Sequence, residues 1–485
     1  MNVLPQLDRG HMLPLQDQLF EHLRQLIISG KLKPNTRVIA TRFLAEQTGV
    51  SRTTVLLAYE KLISEGYLET RPAIGTFVAT LPPNSADCNG QHAQSADVVR
   101  QATLYPPAIR LPPSPDASIR EGEIDFRISA NDPPSSVLPK IWIKEIRESF
   151  GRNPEGFTSS QLIAGIPSLR KSVADHLAVS RGIQTGPDEV IILAGQRQAC
   201  SLIGHLFQRS GDNVVVEAHG NKDIRNFFKV RGAKIVDVPI DDLGLITECL
   251  PRGPVSLAYV SSTRQDPIGG VMPQSRRQAL IQWAREIGAY LIEDDCGIEP
   301  HYQGVMPPPI ATIDTYGLTF YLGKLANVLG GGLNLNYLVA PPEFVEPILA
   351  MKAATDSGCG WLEQIVAADL LSRGVYDQYL RRFRKISMER RDCLIAALQA
   401  HFGDVRLIGT ESGTCLTWVL PEKFGSARAI CERARRIGVC VESVAGDGAP
   451  GDSLYYDRAL IFNYAALTPQ LLQRGVGMLA KSIAR

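Results

Sequence analysis

Between residues 189 and 340 the chain returns seven times to a short apolar run, and this recurrence constrains the fold more than any other feature. The runs are EVIILAG (189–195), NVVVEA (213–218), KIVDVPI (234–240), SLAYVSS (256–262), AYLIED (289–294), FYLGK (320–324) and NLNYLVA (334–340). Helical stretches such as RQACSLIGHLFQR and RRQALIQWAREIG lie between them. Apolar strands alternating with helices predict a large, mostly parallel α/β sheet. A smaller α/β segment is expected from about residue 376, opening on the charged helix YDQYLRRFRKISMERRDCLIAALQAHF.

At 485 residues the chain exceeds what one core supports, so two or more domains are expected. Hydrophobic residues at 44% and charged residues at 21% fit a globular chain. No uncharged apolar run reaches the roughly 18 residues of a membrane span. The start, MNVLPQLDRGHMLPLQDQLF, lacks the basic-then-apolar order of a signal peptide, so a cytoplasmic protein is expected. Nine cysteines are scattered without a CxxC pair, which argues against a zinc site or a disulfide framework. A net charge of +1 argues against a chain coated in nucleic acid. It leaves room for a locally basic module. Residues 20–80 hold Arg24, Lys31, Lys33, Arg37, Arg42, Arg52, Lys61 and Arg71.

That segment reads as such a module. LPLQDQLFEHLRQLIISG (13–30) is an amphipathic helix with Leu15, Leu19, Leu23 and Leu26 at helical spacing, closed by Gly30. After a turn at Pro34-Asn35, TRFLAEQT (41–48) is a short helix, with Thr41 as N-cap and Phe43, Leu44 and Ala45 facing inward. Gly49 breaks it. VSRTTVLLAYEKLISEG forms the next helix, with Ser51 at its start and Val55, Ala58, Tyr59 and Leu62 on one face. YLETRPAIGTFVAT then makes two short strands around Pro72–Gly75, a wing. Two helices joined by a tight Gly-containing turn make a helix-turn-helix, whose second helix enters the major groove by its N-terminus. Here that end is Ser51-Arg52-Thr53-Thr54. Arg52 can reach bases or phosphate, and the hydroxyls can donate to phosphate. Arg42 can clamp the backbone, and Arg71 and Thr76 on the wing can touch phosphate or the minor groove. The plainer alternative is that Ser51 only caps a helix and both arginines are solvated.

The stretch from LPLQDQLF to GTFVA resembles the winged helix-turn-helix of the GntR family. Leu44-Ala45, Gly49-Val50-Ser51-Arg52, Thr54-Val55, Tyr59, Leu62, Gly66-Tyr67-Leu68 and Gly75-Thr76-Phe77-Val78 carry the resemblance. It departs at Val38-Ile39-Ala40-Thr41-Arg42, where the family often has Leu-Pro-Ser-Ser-Arg; the Arg is kept. The division expected is a head over 1–80, a Pro-, Ser-, Gln- and Ala-rich linker over 81–122, and a large domain over 123–485.

The large domain resembles the fold-type I pyridoxal-phosphate enzymes, and the whole chain resembles the MocR/GabR subfamily of GntR regulators. The matching pieces include IDFRISANDP (124–133), AGIPSLRKSVADHLAVSRGI (164–183), ILAGQRQA (192–199), DPIGG (266–270), IEDD (292–295), YLG (321–323) and GLNLNYLVAPP (332–342). The resemblance implies a homodimer with paired DNA heads.

It also implies a cofactor site, which here departs from the pattern. The acid that pairs with the pyridine nitrogen corresponds to Asp294. A Tyr that reaches the cofactor becomes Cys296, the stacking aromatic becomes Asn221, and a usually neutral or aromatic position becomes Asp266. Against the pattern Tyr-Leu-Gly-Ser-Phe-Ser-Lys-x-Leu-x-Pro-x-Leu-Arg-Leu-Gly-Tyr, the stretch FYLGKLANVLGGGLNLNYLV places Asn327 at the Schiff-base lysine. Lys324 and Ala326 fall on phosphate-binding serines, and Asn334 on the phosphate-binding Arg. An Asn amide forms no imine. Near the C-terminus, Ile461 stands where the enzymes clamp a substrate carboxylate with Arg. The expectation is a non-enzymatic regulator of double-stranded DNA, with no metal, no catalytic residue and no pyridoxal phosphate, whose large domain dimerises or senses a small effector. Two alternatives stay open: a regulator that binds the cofactor non-covalently through Asp294 or covalently through Lys324, and an active aminotransferase with an accessory head.

Overall fold

The computed structural model describes residues 7–8, 13–72, 74–80, 122–127, 138–152, 162–297, 299–325, 329, 333–444, 455 and 457–483. The chain divides into two compact units, residues 1–102 and 103–485. Apart from Gly122, the expected linker lies outside the described residues, as do Ala326 and Asn327. Among the described residues no helix is long and apolar enough to cross a membrane, and no cluster of His, Cys, Asp and Glu has metal-binding geometry.

In the first unit, α1 (Leu15–Ile28), α2 (Thr41–Thr48) and α3 (Arg52–Ser64) precede the antiparallel hairpin of β1 (Leu68–Arg71) and β2 (Gly75–Val78). Leu19, Phe20, Leu23 and Ile27 of α1 pack on Leu44, Val55, Tyr59 and Leu62. Leu19, Val55 and Leu62 are fully buried, each contributing about 1.5–3 kcal/mol relative to exposure. Gly49 ends α2 at φ 66°, the left-handed conformation that glycine adopts without penalty. Two expectations are corrected. The N-cap of α2 is Ala40 rather than Thr41, and no side chain caps it. Phe43 is 55% exposed, because the buried stripe of so short a helix is only Leu44 and Ala45 wide.

The second unit opens with β3 (Ile124–Asp125), α4 (Leu138–Arg152) and α5 (Pro167–Ser180). All seven apolar runs become strands: β4 (Val190–Leu193), β5 (Asn213–Glu217), β6 (Lys234–Val238), β9 (Leu257–Val260), β10 (Tyr290–Asp294), β11 (Thr319–Lys324) and β12 (Asn336–Val339). A small hairpin, β7 (Ile240–Asp241) with β8 (Gly244–Leu245), follows β6. The helices α6 (Gln196–Phe207), α7 (Lys222–Val230) and α8 (Gln274–Ile287) link strands. The strand order is β4-β12-β11-β10-β9-β5-β6. Pairings are parallel except those of β12, which runs against both β11 and β4. Apolar clusters cover both faces, as a parallel sheet requires.

A second sheet, ordered β13 (Arg406–Ile408), β14 (Cys415–Val419), β17 (Ala459–Asn463), β16 (Glu442–Ser443), packs with the helices Val375–Phe402 and Pro469–Ile483 around Trp418 and Phe462. β15 (Val439–Cys440) pairs in parallel with β3, which ties the start of the domain to this smaller part. The long charged helix thus begins where the sequence places it.

Candidate functional site

In the head, α3 presents its N-terminus as a helix-turn-helix reader does. The Ser51 hydroxyl caps it, accepting the Thr54 N–H at 3.0 Å, and lies 2.8 Å from the Thr54 hydroxyl. These two side chains therefore hold the helix end first and have limited spare capacity for DNA. Arg42, Arg52 and Thr53 are exposed, and neither arginine has a hydrogen bond or ion pair among the described residues. Leu56 and Leu57, each 45% exposed, continue the outward face from Thr53 at helical spacing. Sequence reasoning passed over them because apolar residues read as core. Outside a core, they can pack against thymine methyls. On the wing, Arg71 donates to Glu69 at 2.9 Å, contacts Asn35 and lies over the Phe77 ring. It braces the hairpin, leaving Thr76 half-buried beside it. Arg37 also belongs to the wing: a Cβ on Gly75 would sit 2.8 Å from its Nε.

In the large domain, the C-terminal ends of the parallel strands meet in a hollow, where open α/β sheets bind ligands. Asp294 ends β10 and is buried. Both of its carboxylate oxygens accept from Nε2 of Gln196, each at 3.0 Å. The Tyr259 hydroxyl and the Cys296 backbone N–H also donate to it, the latter at 3.0 Å. Gln196 opens α6, nearly a hundred residues upstream, and sequence reasoning did not single it out. Pyridoxal phosphate needs Asp294 as acceptor for its ring nitrogen, and the chain's own donors already fill that role. The residues present therefore fit the cofactor's usual mode of binding poorly.

The other expected positions point the same way. Asn221 caps α7, its side chain accepting from the backbone of Asp223 and Ile224 at 3.1 and 3.3 Å. Asn334 is exposed and uncharged. Cys296 is buried, and burial beside Asp294 pushes its thiol well up, so it stays protonated. Ile461 is buried in β17, opposite Thr417 and Glu442. Lys324 ends β11 next to a cavity of about 20 Å³ that it lines with Arg181, Cys296, Glu299, Tyr337 and Tyr376. That volume holds about one water molecule. Gly323 precedes it because the Tyr337 ring lies across its Cα; a Cβ there would sit 2.1 Å from Cζ.

Four further buried or half-buried acids lie in this part of the chain. Burial raises Asp266 to about 6, with repulsion from Asp294 adding and Arg264 and Lys324 opposing. Burial raises Glu217 to about 7, although it accepts from the Ser261 N–H and from Gln265. Burial raises Glu299 to about 7 and Glu293 to about 6 as well. A raised carboxylate favours the folded state fully below its unfolded pKa and loses that contribution as pH climbs through the folded value. His176, His219 and His301 are lowered by burial and act oppositely, losing stability as pH falls below about 6.5. The expected result is a large domain that gains stability from pH 8 to about 6.5 and then levels off. Denaturant titrations across this range, repeated on Glu217→Gln/Glu299→Gln, check it; an unchanged slope in the double variant would refute the assignment.

Comparison with known proteins adds the family. Residues 15–78 match the model of bacterial regulatory proteins of the gntR family. The chain is 30% identical over 401 residues to the probable rhizopine catabolism regulatory protein MocR of Rhizobium meliloti, covering 82% of this chain and 80% of that one. It is 28% identical to the HTH-type transcriptional regulator TauR of Rhodobacter capsulatus, covering 97% and 96%. A crystal structure of an archaeal alanine:glyoxylate aminotransferase superposes with a TM-score of 0.67 at 26% identity, covering 74% of this chain and 90% of that one. With a winged helix-turn-helix of the GntR type joined to a fold-type I aminotransferase-like domain, the chain belongs to the MocR/GabR-type branch of the GntR family of transcriptional regulators.

Proposed function

We propose that the large domain works without covalently held pyridoxal phosphate and without catalysis, serving the DNA-reading head in dimerisation and effector sensing. The observation that carries this reading is the Asp294 carboxylate, whose two oxygens are both engaged by Gln196, with Tyr259 and the Cys296 N–H as further donors. Asn327, at the register position of the lysine, supports it, as do the acidic Asp266 and the uncharged, exposed Asn334. A dimer would pair two heads on repeated half-sites. An effector that prefers one arrangement of the heads would shift its population.

The second reading, an imine at Lys324, has that lysine's place at the hollow in its favour and the 20 Å³ cavity against it. Incubation of the purified full-length protein with pyridoxal phosphate, borohydride reduction and peptide mass spectrometry separates the two. The expected result is no reduced adduct at Lys324 beyond that on surface lysines. A stoichiometric adduct there would overturn the proposal.

A further inference from the structure

A second cavity lies away from the hollow, at the seam between the large sheet and the smaller one. Its volume is about 300 Å³, at the lower end of small-molecule sites. None of the expected cofactor positions lines it. Val271, Met272, Val305, Pro307, Pro308 and Ile313 give it apolar walls, and Thr263, Arg277, His301, Glu411 and Ser412 supply polar groups.

Both parts of the domain build this seam. His301 pairs with Ser412 in an isolated bridge, and the Tyr302 N–H donates to the Glu411 carbonyl at 2.8 Å. The Arg264 guanidinium crosses from the large part to the carbonyls of Ser412 and Cys415 at 3.2 and 2.9 Å. A ligand held here touches residues of both.

Arg277 supplies the chemistry. It stands in the first turn of α8 and is 1% exposed. Its Nε donates to the Met272 carbonyl at 2.9 Å and its Nη2 to the Ser262 carbonyl at 3.0 Å. Nη1 is buried with no hydrogen-bond partner among the described residues. A buried guanidinium with an unused donor, and no carboxylate in contact among the described residues, is costly to leave so. The acids whose charge reaches it are engaged elsewhere. Glu293 accepts from Ser262 and from the N–H groups of Ile310 and Ala311, and Asp295 accepts from Arg181, Thr263 and Tyr321. Burial accordingly pulls the Arg277 guanidinium down from its ordinary value.

We propose that the seam cavity binds a small carboxylate with an apolar body, its oxygens reaching Arg277 by displacing the side chains that cover Nη1 and its body against the Val305–Pro308 and Val271–Met272 walls. A simple carboxylic acid and an apolar amino acid share this chemistry. They differ in an ammonium group, for which Glu411 on the lining is the counter-charge. The inference names an effector site for the regulatory reading above.

Calorimetric titration of the full-length protein with isovalerate, neutral isovaleramide and leucine tests it. The expected result is saturable binding of an acid, with isovaleramide at least about tenfold weaker. Val305→Trp adds bulk at a lining residue that is 94% exposed, so it should hinder binding without burdening the fold. Arg277→Met also removes two backbone contacts, so it serves as a second variant where it folds. Tighter binding of leucine, lost in Glu411→Gln, assigns an amino acid; tighter binding of isovalerate assigns a simple acid. No binding of either acid, equal binding of the amide, or binding unchanged in Val305→Trp would overturn the proposal. The readout is ligand binding without DNA or cofactor, so a negative result counts against this cavity and leaves the pyridoxal-phosphate reading as it stood.

Discussion

Replacing Arg52 with alanine lowers affinity for the specific DNA site by about 1–3 kcal/mol, roughly tenfold to a hundredfold, and relaxes preference at one base pair. The expectation rests on where the head leaves its charges. Ser51 and Thr54 are tied to each other and to the helix end, and Arg71 is held by Glu69 and Asn35. Arg52 stands exposed at the N-terminus of α3 with no ion pair among the described residues. Arg42→Ala should behave differently. It weakens binding to all sequences alike and lowers the salt-dependence slope by about one, as loss of a phosphate contact does. Fluorescence anisotropy on specific and scrambled duplexes at several salt concentrations distinguishes the two. Equal losses on both duplexes for Arg52→Ala would show that it touches only phosphate.

Substituting Gly323 with alanine should destabilise the large domain by about 3 kcal/mol, a severe case of overpacking. The added methyl would lie 2.1 Å from Cζ and 2.2 Å from the hydroxyl oxygen of Tyr337. Tyr337 is itself buried and paired across from Gly323, between β11 and β12, so it has nowhere to swing. Tyr337→Leu costs stability alone, but should recover part of the loss in the double variant, because the clash is with the ring. Tyr337→Phe should not, since Cζ remains. Equilibrium denaturation of the four proteins measures the coupling; strict additivity would refute the steric account.

Much of this fold was legible because its strands are short, apolar and separated by helical periodicity, so all seven runs became strands. Their order was not, since pairing β4 beside β12 joins segments about 145 residues apart through hydrogen bonds that leave no local pattern. The same limit hid the partner of Asp294. The acid stood out in IEDD, but Gln196 opens helix α6, nearly a hundred residues upstream, and meets it only in the folded chain. Local chemistry misled where one residue type has two uses. Asn221 aligned with a stacking aromatic and proved to be a helix cap. Phe43 read as core by its neighbours and is exposed. Arg277 gave no signal at all, since one arginine in QSRRQAL reads as a solvated helix face until the packing buries it.

The central claim is that the head's DNA binding is not governed by pyridoxal phosphate. The most direct measurement is the affinity of the full-length protein for its specific duplex, titrated with and without saturating pyridoxal phosphate. The account predicts superimposable isotherms. A shift of about tenfold or more, worth about 1.4 kcal/mol of coupling, would contradict it.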